Sequence, residues 1–236
     1  MTDAPPPAPT GAWGRATVRD VSHPSPRAVV LRLQVPDRID HLPGQHYVIR
    51  LTAEDGYVAQ RSYSIASPPA DELLEFYIER LDDGEVSTFL ADVVQVGDEL
   101  DVRGPIGGWF VWDASGPAFG IAGGSGAVPL VAMLRHANGV GRPDLLHLAV
   151  SARTWPDLPY GDELVAGGAL IALSREDYTN RPAARLRGEE VWPLLPGDGT
   201  CFICGSAAFA EAASELLMDA GVLAERIRIE RFGPTS

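Results

Sequence analysis

Apolar and polar residues alternate in short segments over the first half of the chain, and turn residues separate these segments. Such alternation predicts strands, because every second side chain of a strand points to the same face. One further segment, residues 87–94, predicts a short helix. Together they predict a small antiparallel six-stranded β-barrel. The predicted strands are residues 13–20, 28–35, 46–51, 62–67, 73–81 and 99–103.

The pattern changes after about residue 113, where buried strands begin to alternate with helices. This alternation predicts an α/β doubly wound parallel sheet. We therefore expect two domains, residues 11–113 and 114–236, after a proline-rich disordered lead-in at residues 1–10. The predicted strands are residues 118–122, 145–152, 169–174, 201–205 and 226–232, and the predicted helices are residues 129–136 and 207–220.

Composition narrows the classes of partner. The chain has 236 residues, of which 45% are hydrophobic and 22% charged, and its net charge is −13 at pH 7. That charge argues against nucleic acid and anionic membranes. The long uncharged run at residues 118–134 is glycine-rich, which predicts a strand–loop–helix passage rather than a membrane span. The first residues lack the basic and apolar regions of a signal peptide, so we expect a cytoplasmic location.

Cysteine and histidine show no metal-binding pattern. Cys201 and Cys204 form a C-x-x-C, but they fall in an apolar segment that predicts a buried strand. Residues three apart on a strand face opposite sides, which argues against a shared metal or a disulfide between them. The five histidines are scattered without ligand spacing, so we expect no protein-bound metal.

A glycine-rich loop opens the first strand–helix unit of the second domain. Its glycines let the backbone approach a pyrophosphate, and the free N–H groups of a helix start attract anions. A tight strand–helix turn without a ligand is the alternative. The loop residues are Gly124, Ser125 and Gly126, and Pro129 follows in the first turn of the predicted helix.

The ends of the next two strands carry hydroxyl and arginine side chains. A fingerprint for NAD would place an acidic residue at the end of the second strand, where it binds the ribose 2′-hydroxyl. Ser151 and Arg153 stand there instead, and Ser174 and Arg175 end the following strand. Arginine suits a 2′-phosphate, so the pattern favours NADPH over NADH, although a single arginine is also typical of a solvated surface.

Two polar motifs of the first domain suit an anionic cofactor. Arg61 and Tyr63 share one face of a predicted strand, whereas Ser62 and Ser64 share the other. Ser87 and the neighbouring backbone N–H groups lie at a predicted helix start, which makes a second anion site. An arginine and a helix N-terminus in one small barrel would bind a pyrophosphate from two sides, beside an aromatic ring that covers a flat group.

The order of these motifs resembles the ferredoxin–NADP reductase superfamily, in its compact bacterial form, across residues 12–233. The similarity rests on the ordered set and not on any single motif. The resemblance implies an FAD-binding β-barrel at residues 11–113 and an NAD(P)-binding α/β domain at residues 114–236. The set is Pro43-Gly44-Gln45, Arg61-Ser62-Tyr63-Ser64, Gly84-x-x-Ser87, Gly104-Pro105-x-Gly107, Gly123-Gly124-x-Gly126-x-x-Pro129, Cys204-Gly205-Ser206 and Glu230-Arg231-Phe232.

The resemblance also implies roles for the matching residues. Ser64 would lie near flavin N5, Cys204 near the nicotinamide, and Glu230 at the flavin, so these three are candidate catalytic residues. Cys204 is also typical of strand packing and Glu230 of a solvated strand end. The implied FAD contacts are Arg61 at the pyrophosphate, Tyr63 on the isoalloxazine, Ser62, Ser64, Ile78, Glu79, Arg80, Gly84, Val86, Ser87, Thr88 and Phe232, which is also typical of core. The implied dinucleotide contacts are Gly124, Ser125, Gly126, Pro129, Ser151, Arg153, Ser174, Arg175, Cys204 and Gly205.

Three hypotheses for the electron acceptor stay open. The favoured one is a reductase that passes electrons from NADPH to a separate ferredoxin- or flavodoxin-type protein, because the sequence contains no cysteine cluster for an iron–sulfur centre. Arg15, Arg19, Arg27 and Arg32 would form a basic docking face for that acidic partner. The alternatives are reduction of free flavin, quinone or another small acceptor, and a non-catalytic flavin-bearing subunit of a larger complex.

Overall fold

The computed structural model describes residues 11–232, and the predicted lead-in at residues 1–10 lies outside the described residues. The chain divides into two compact units between Val111 and Trp112. Each unit contains one sheet with its own hydrophobic core.

The first unit is an antiparallel barrel of six strands. Its strands are β1 (Gly14–Ser25), β2 (Ala28–Gln34), β3 (His46–Thr52), β4 (Val58–Ser64), β5 (Leu74–Glu79) and β6 (Glu99–Ile106), with helix α1 (Glu85–Asp92) between β5 and β6. The strand order is β4-β3-β6-β1-β2-β5. A bridge between Ile65 and Phe76 joins the two ends of this order and closes the barrel.

Alternation along the strands fills the barrel. On β5, Leu74, Phe76 and Ile78 are buried, whereas the residues between them are more exposed. The ring of Tyr47 meets the ring of Phe76 edge-on, with 6.1 Å between the centroids. Each such buried side chain contributes about 1.5–3 kcal/mol. Helix α1 packs against β4 and β5.

The second unit is a parallel sheet with helices in its connections. Its strands are β7 (Ala118–Gly123), β8 (Leu146–Ala152), β9 (Leu170–Leu173), β10 (Thr200–Gly205) and β11 (Ile227–Arg231). Its helices are α2 (Ala127–Gly139), α3 (Gly161–Ala166), α4 (Gly188–Val191) and α5 (Ala207–Asp219), with short 3-10 turns at Gly124–Gly126, Pro143–Leu145, Trp155–Asp157, Trp192–Leu194 and Ala224–Arg226.

The strand order of this sheet is β11-β10-β7-β8-β9, and every neighbouring pair is parallel. The chain moves outward from β7 to β9, then returns to the other side of β7 at β10. The point of reversal lies between the carboxyl ends of β7 and β10, which is where open α/β sheets bind ligands. The predicted fold class, a six-stranded antiparallel barrel followed by a doubly wound parallel sheet, is confirmed.

One predicted strand was misplaced, and two short helices were not predicted. Strand β4 begins at Val58 and ends at Ser64, instead of spanning residues 62–67, because the chain leaves β3 at Ile65 to reach β5. Helices α3 and α4 have only six and four residues, so neither presents the repeated apolar face by which a helix is predicted.

The longest helices, α2 and α5, have 13 residues each. Within residues 11–232, no helix is both long enough and apolar enough to cross a membrane. Over the same range, no three histidine, cysteine or acidic side chains are grouped so that they could hold a metal ion.

Candidate functional site

The motif that begins at Arg61 forms the last four residues of β4. Arg61 and Ser62 are exposed, Tyr63 is half-buried against the barrel core, and Ser64 is buried. The antiparallel register pairs Ser64 with His46 on β3. Burial raises the pKa of the Tyr63 phenol, although the charge of Arg61 opposes this shift. The phenol is therefore neutral and presents a ring rather than a charge.

The Ser64 hydroxyl lacks a partner inside the described part of the chain. Its residue is only 5% exposed, and Oγ makes no hydrogen bond with any residue from 11 to 232. A buried hydroxyl without a partner costs about 1–3 kcal/mol. That cost is removed when a bound group supplies a hydrogen-bonding atom, so this position fits a cofactor.

Arg61 keeps its guanidinium available. Its Nη1 donates to the carbonyl oxygen of Gln60 at 2.7 Å, and among residues 11–232 it has no carboxylate partner. Arg80 differs, because its Nε donates to Asp92 of α1 at 3.0–3.1 Å. The Arg80 side chain thus ties α1 to the end of β5, beside the buried Ile78 and the exposed Glu79.

The start of α1 is held by its own side chains. The Ser87 hydroxyl donates to the Gly84 carbonyl oxygen at 3.0 Å and accepts from the Leu81 backbone N–H at 3.2 Å. The Thr88 hydroxyl donates to the Leu81 carbonyl oxygen at 3.1 Å. Both hydroxyls are therefore used within the loop, and Val86 is buried. The backbone N–H groups of the first turn are the part of this helix start that suits an anion.

In the second unit, the glycine loop packs directly on β10. Gly124 has φ +56°, in the left-handed region that favours glycine. Gly126 has ordinary helical dihedrals, but a Cβ there would lie 2.3 Å from the Cys204 carbonyl oxygen. Ser125 is half-buried between them, and Pro129 is buried in the first turn of α2. This close approach fixes the loop at the point of strand reversal.

Arg153 and Arg175 lie on adjacent segments beyond β8 and β9. The Arg175 backbone N–H donates to the Arg153 carbonyl oxygen at 2.9 Å, and the Ser174 N–H donates to the carbonyl oxygen of Ala152 at the same distance. Ser151 and Ser174 are half-buried, whereas both arginines are exposed. Neither guanidinium has a carboxylate partner in the portion of the chain that is described.

An aromatic pair beside these arginines was missed by sequence reasoning. The rings of Trp155 and Tyr178 stack at 5.1 Å between centroids, with 7° between their planes. Trp155 follows Arg153 closely in the sequence, so its position near that arginine was predictable. The contact with Tyr178 was not predictable, because Tyr178 lies in an irregular segment that includes a bridge between Tyr178 and Arg181.

Cys204 and Glu230 are neighbours across β10 and β11. The parallel register pairs the two residues directly. Burial raises the pKa of the Cys204 thiol, and the charge of Glu230 raises it further. Burial also raises the pKa of Glu230 to about 7. The Gly205 carbonyl oxygen accepts a hydrogen bond from the Phe232 backbone N–H at 2.9 Å. The Phe232 side chain is half-buried.

The antiparallel barrel and the parallel sheet are the two units of the fold found in ferredoxin–NADP reductase-like proteins. Residues 16–111 match the family described as the oxidoreductase FAD-binding domain. The match covers less than half of the chain, and the fold of the whole chain is similar to that of ferredoxin–NADP reductase-like proteins.

Two relatives and two solved structures illustrate this similarity. The toluate 1,2-dioxygenase electron transfer component of Pseudomonas putida is 26% identical, over 94% of this chain and 68% of its own length. The glycine betaine monooxygenase reductase subunit of Chromohalobacter salexigens is 31% identical, over 82% of this chain and 56% of its own. The chain spans about two thirds or less of the curated relatives that it matches.

Among solved structures, the flavohem-like FAD/NAD-binding domain of nitric oxide dioxygenase from Vibrio cholerae has a TM-score of 0.82 and 24% identity, covering 94% of this chain and 99% of that one. The ferredoxin NADP+ reductase of Neisseria gonorrhoeae, solved with FAD and NADP, has a TM-score of 0.77 and 20% identity, covering 93% and 98%. At these identities the likeness concerns the fold.

Proposed function

We propose that this protein is an FAD-dependent oxidoreductase that takes a hydride from NADPH and passes single electrons to a ferredoxin- or flavodoxin-type acceptor protein. FAD supplies a group that accepts a hydride and releases electrons one at a time. The observation that carries the proposal is the buried Ser64 hydroxyl, which has no partner within residues 11–232 and ends a strand of an FAD-binding domain.

We assign FAD to residues 11–113. Arg61 and the first turn of α1 would hold the pyrophosphate from two sides, since one offers a guanidinium without a carboxylate partner among the described residues and the other backbone N–H groups. The neutral Tyr63 ring would cover the flavin, and Ser64 would supply a hydrogen bond at its reacting edge. The chain's own work is thus positioning and exclusion of water rather than covalent chemistry.

We assign the nicotinamide dinucleotide to residues 114–236. The loop at Gly124 and Gly126 would bind its pyrophosphate, and Arg153 and Arg175 would bind the 2′-phosphate that distinguishes NADPH from NADH. Cys204 would pack beside the nicotinamide as a neutral thiol, because burial keeps its pKa high. A cytoplasmic location stays a prediction.

A protein acceptor is supported by the names of the relatives, which include electron transfer and reductase components of oxygenase systems. The predicted basic docking face has less support. Arg15 pairs with Glu99, Arg27 approaches Asp82 at 3.6 Å, and Arg32 pairs with Asp71. These pairs cancel much of the positive charge that an acidic partner would need.

That neutralised surface favours a second candidate, reduction of free flavin, quinone or another small acceptor. The two candidates differ in their acceptor kinetics. A protein acceptor would give turnover with a purified ferredoxin that saturates and falls with added salt. Turnover with small acceptors alone, and none with ferredoxin or flavodoxin, would favour the second candidate.

The central experiment is an anaerobic titration of the purified full chain with NADPH and, separately, with NADH, while flavin absorbance is followed. NADPH should bleach the flavin faster. Arg61→Ala should lose FAD during dialysis, and Ser64→Ala should retain FAD but be reduced more slowly, whereas Arg19→Ala, which removes an exposed guanidinium, should do neither. A colourless chain that cannot be loaded with FAD would refute the proposal.

A further inference from the structure

Gln45 connects three segments at one end of the barrel. It is only 3% exposed, although its side chain is polar. Its Oε1 accepts from the Leu42 backbone N–H at 2.8 Å, and its Nε2 donates to the carbonyl oxygen of Gly107. Its own carbonyl oxygen accepts from the Ile65 backbone N–H at 3.1 Å. One residue therefore ties together the loop before β3, the chain after β6 and the chain after β4.

The bond to Ile65 lies at the peptide that follows Ser64. At this point β4 ends its pairing with β3 and the chain crosses to β5. On the β5 side, Ile65 bridges to Phe76, and the Ala66 N–H donates to the Glu75 carbonyl oxygen at 2.8 Å. The backbone just beyond Ser64 is thus held from both sides, and Gln45 is the support on the β3 side.

The carboxamide satisfies both side-chain contacts because it carries an acceptor and a donor. The Leu42 N–H requires an acceptor, and the Gly107 carbonyl oxygen requires a donor. An ionised glutamate keeps the first contact but turns a negative charge toward a carbonyl oxygen. Methionine has a similar length and makes neither bond, so it removes the hydrogen-bond partner of the Leu42 N–H and of the Gly107 carbonyl oxygen.

We propose that Gln45 is a positioning residue for Ser64, and this inference rests on the flavin function proposed above. By fixing the Leu42 and Gly107 segments to its own backbone, the Gln45 carboxamide sets where Ile65, and with it the Ser64 hydroxyl, lies. Ser64 Oγ is the buried hydroxyl without a partner among the described residues, so its placement decides whether it meets the cofactor. Gln45 itself needs no contact with FAD.

The test compares Gln45→Met and Gln45→Glu with Gln95→Met, an equivalent change at an exposed position. Each variant is made with Ser64 present and in a Ser64→Ala background. With Ser64 present, both Gln45 variants should retain FAD but be reduced by NADPH about tenfold more slowly or worse, because small misplacements of positioning groups are costly. With Ser64→Ala, the Gln45 changes should slow reduction no further.

Two measurements do not depend on turnover. The visible circular dichroism of bound flavin should change in both Gln45 variants and stay unchanged in Gln95→Met. In the protein without FAD, amide exchange at Ile65 and Leu42 should be about tenfold faster in Gln45→Met, because local opening costs less. If Gln45→Met does not fold, Gln45→Glu keeps one of the two bonds and carries the same comparison.

Three outcomes would overturn the inference. They are unchanged reduction rates in the Gln45 variants, slowing that adds fully to that of Ser64→Ala, and unchanged exchange at Ile65. These outcomes are distinct from failure of the proposed function, in which the unmodified chain itself neither holds FAD nor is bleached by NADPH.

Discussion

Substitution of Gly126 by alanine tests how the dinucleotide loop is held. The backbone of Gly126 is helical, with φ −60° and ψ −14°, so alanine costs nothing in dihedral energy. The obstacle is space, because the new Cβ would lie 2.3 Å from the Cys204 carbonyl oxygen and 2.8 Å from the Gly205 nitrogen. Carbon and carbonyl oxygen normally meet at about 3.3 Å, so loop or strand must move by about 1 Å.

This displacement has two expected consequences. The free energy of unfolding should fall by about 1–3 kcal/mol, as for an overpacked core. NADPH reduction of the flavin should slow by about two orders of magnitude, since a 1 Å misplacement can have that effect. FAD content should be unchanged, because the residues assigned to FAD lie in the other unit. Urea unfolding, calorimetric NADP+ binding and the flavin absorbance of the purified protein measure the three quantities.

Two other glycines are matched controls. A Cβ at Gly124 would meet open space, but the backbone there has φ +56°. Asparagine tolerates this left-handed region, so Gly124→Asn should lower stability only slightly, whereas Gly124→Ala should strain the backbone. Gly139 has neither obstacle, so Gly139→Ala should be neutral or stabilising. Wild-type stability together with wild-type NADP+ affinity in Gly126→Ala would refute the close packing of the loop on β10.

Three further predictions concern charge. The pKa of Glu230 is raised to about 7, so its contribution to stability is full below pH 4.5 and is lost as the pH rises through 7. The free energy of unfolding of Glu230→Gln should therefore gain about 3 kcal/mol over that of the wild type between pH 4 and pH 8. A difference that stays constant with pH in denaturation experiments would contradict this. Arg181 lowers the pKa of Glu190 to about 2, so the contribution of Glu190 to stability is present above pH 4.5 and is lost toward pH 2. In the same assay, Glu190→Gln should lower the free energy of unfolding by about 2–3 kcal/mol at neutral pH and by little at pH 2. Arg153→Ala should raise the Kd for NADP+ about tenfold or more and leave the Kd for NAD+ unchanged, whereas the control Arg185→Ala should change neither. Equal losses of affinity for both dinucleotides would exclude recognition of the 2′-phosphate by Arg153.

The fold was predictable because most strands bury one face or both. On β5 the burial alternates as the sequence does, and on β10 every residue from Cys201 to Gly205 is buried. Strand β4 was harder, because it ends the hydrogen-bonded order of the barrel and begins Val58-Ala59-Gln60-Arg61, where only Ala59 is buried. Because the first residues of β4 are mostly exposed, they show no alternation of apolar and polar residues, and the start of this strand could not be predicted from the sequence.

For the candidate site, the sequence predicted which residue types are present but not which hydrogen bonds their side chains make. The sequence indicated a helix start at Ser87 but not that its hydroxyl turns back to Leu81 and Gly84, since that depends on how the loop closes. The irregular segment between β9 and β10 was equally hidden. It is held by Arg181, which binds Glu190 and the Ala184 carbonyl oxygen, and no periodic pattern encodes such contacts.

Ion pairing distinguishes Arg80 from the other arginines expected at a cofactor. Several arginines of this chain pair with a carboxylate, among them Arg135 and Arg181. Arg80 was expected to line FAD, yet its guanidinium is bound to Asp92 and already serves α1. Across residues 11–232, Arg61, Arg153 and Arg175 have no such partner. A guanidinium without a carboxylate partner needs no ion pair broken before it binds a phosphate, so these three are better candidates for cofactor binding than Arg80.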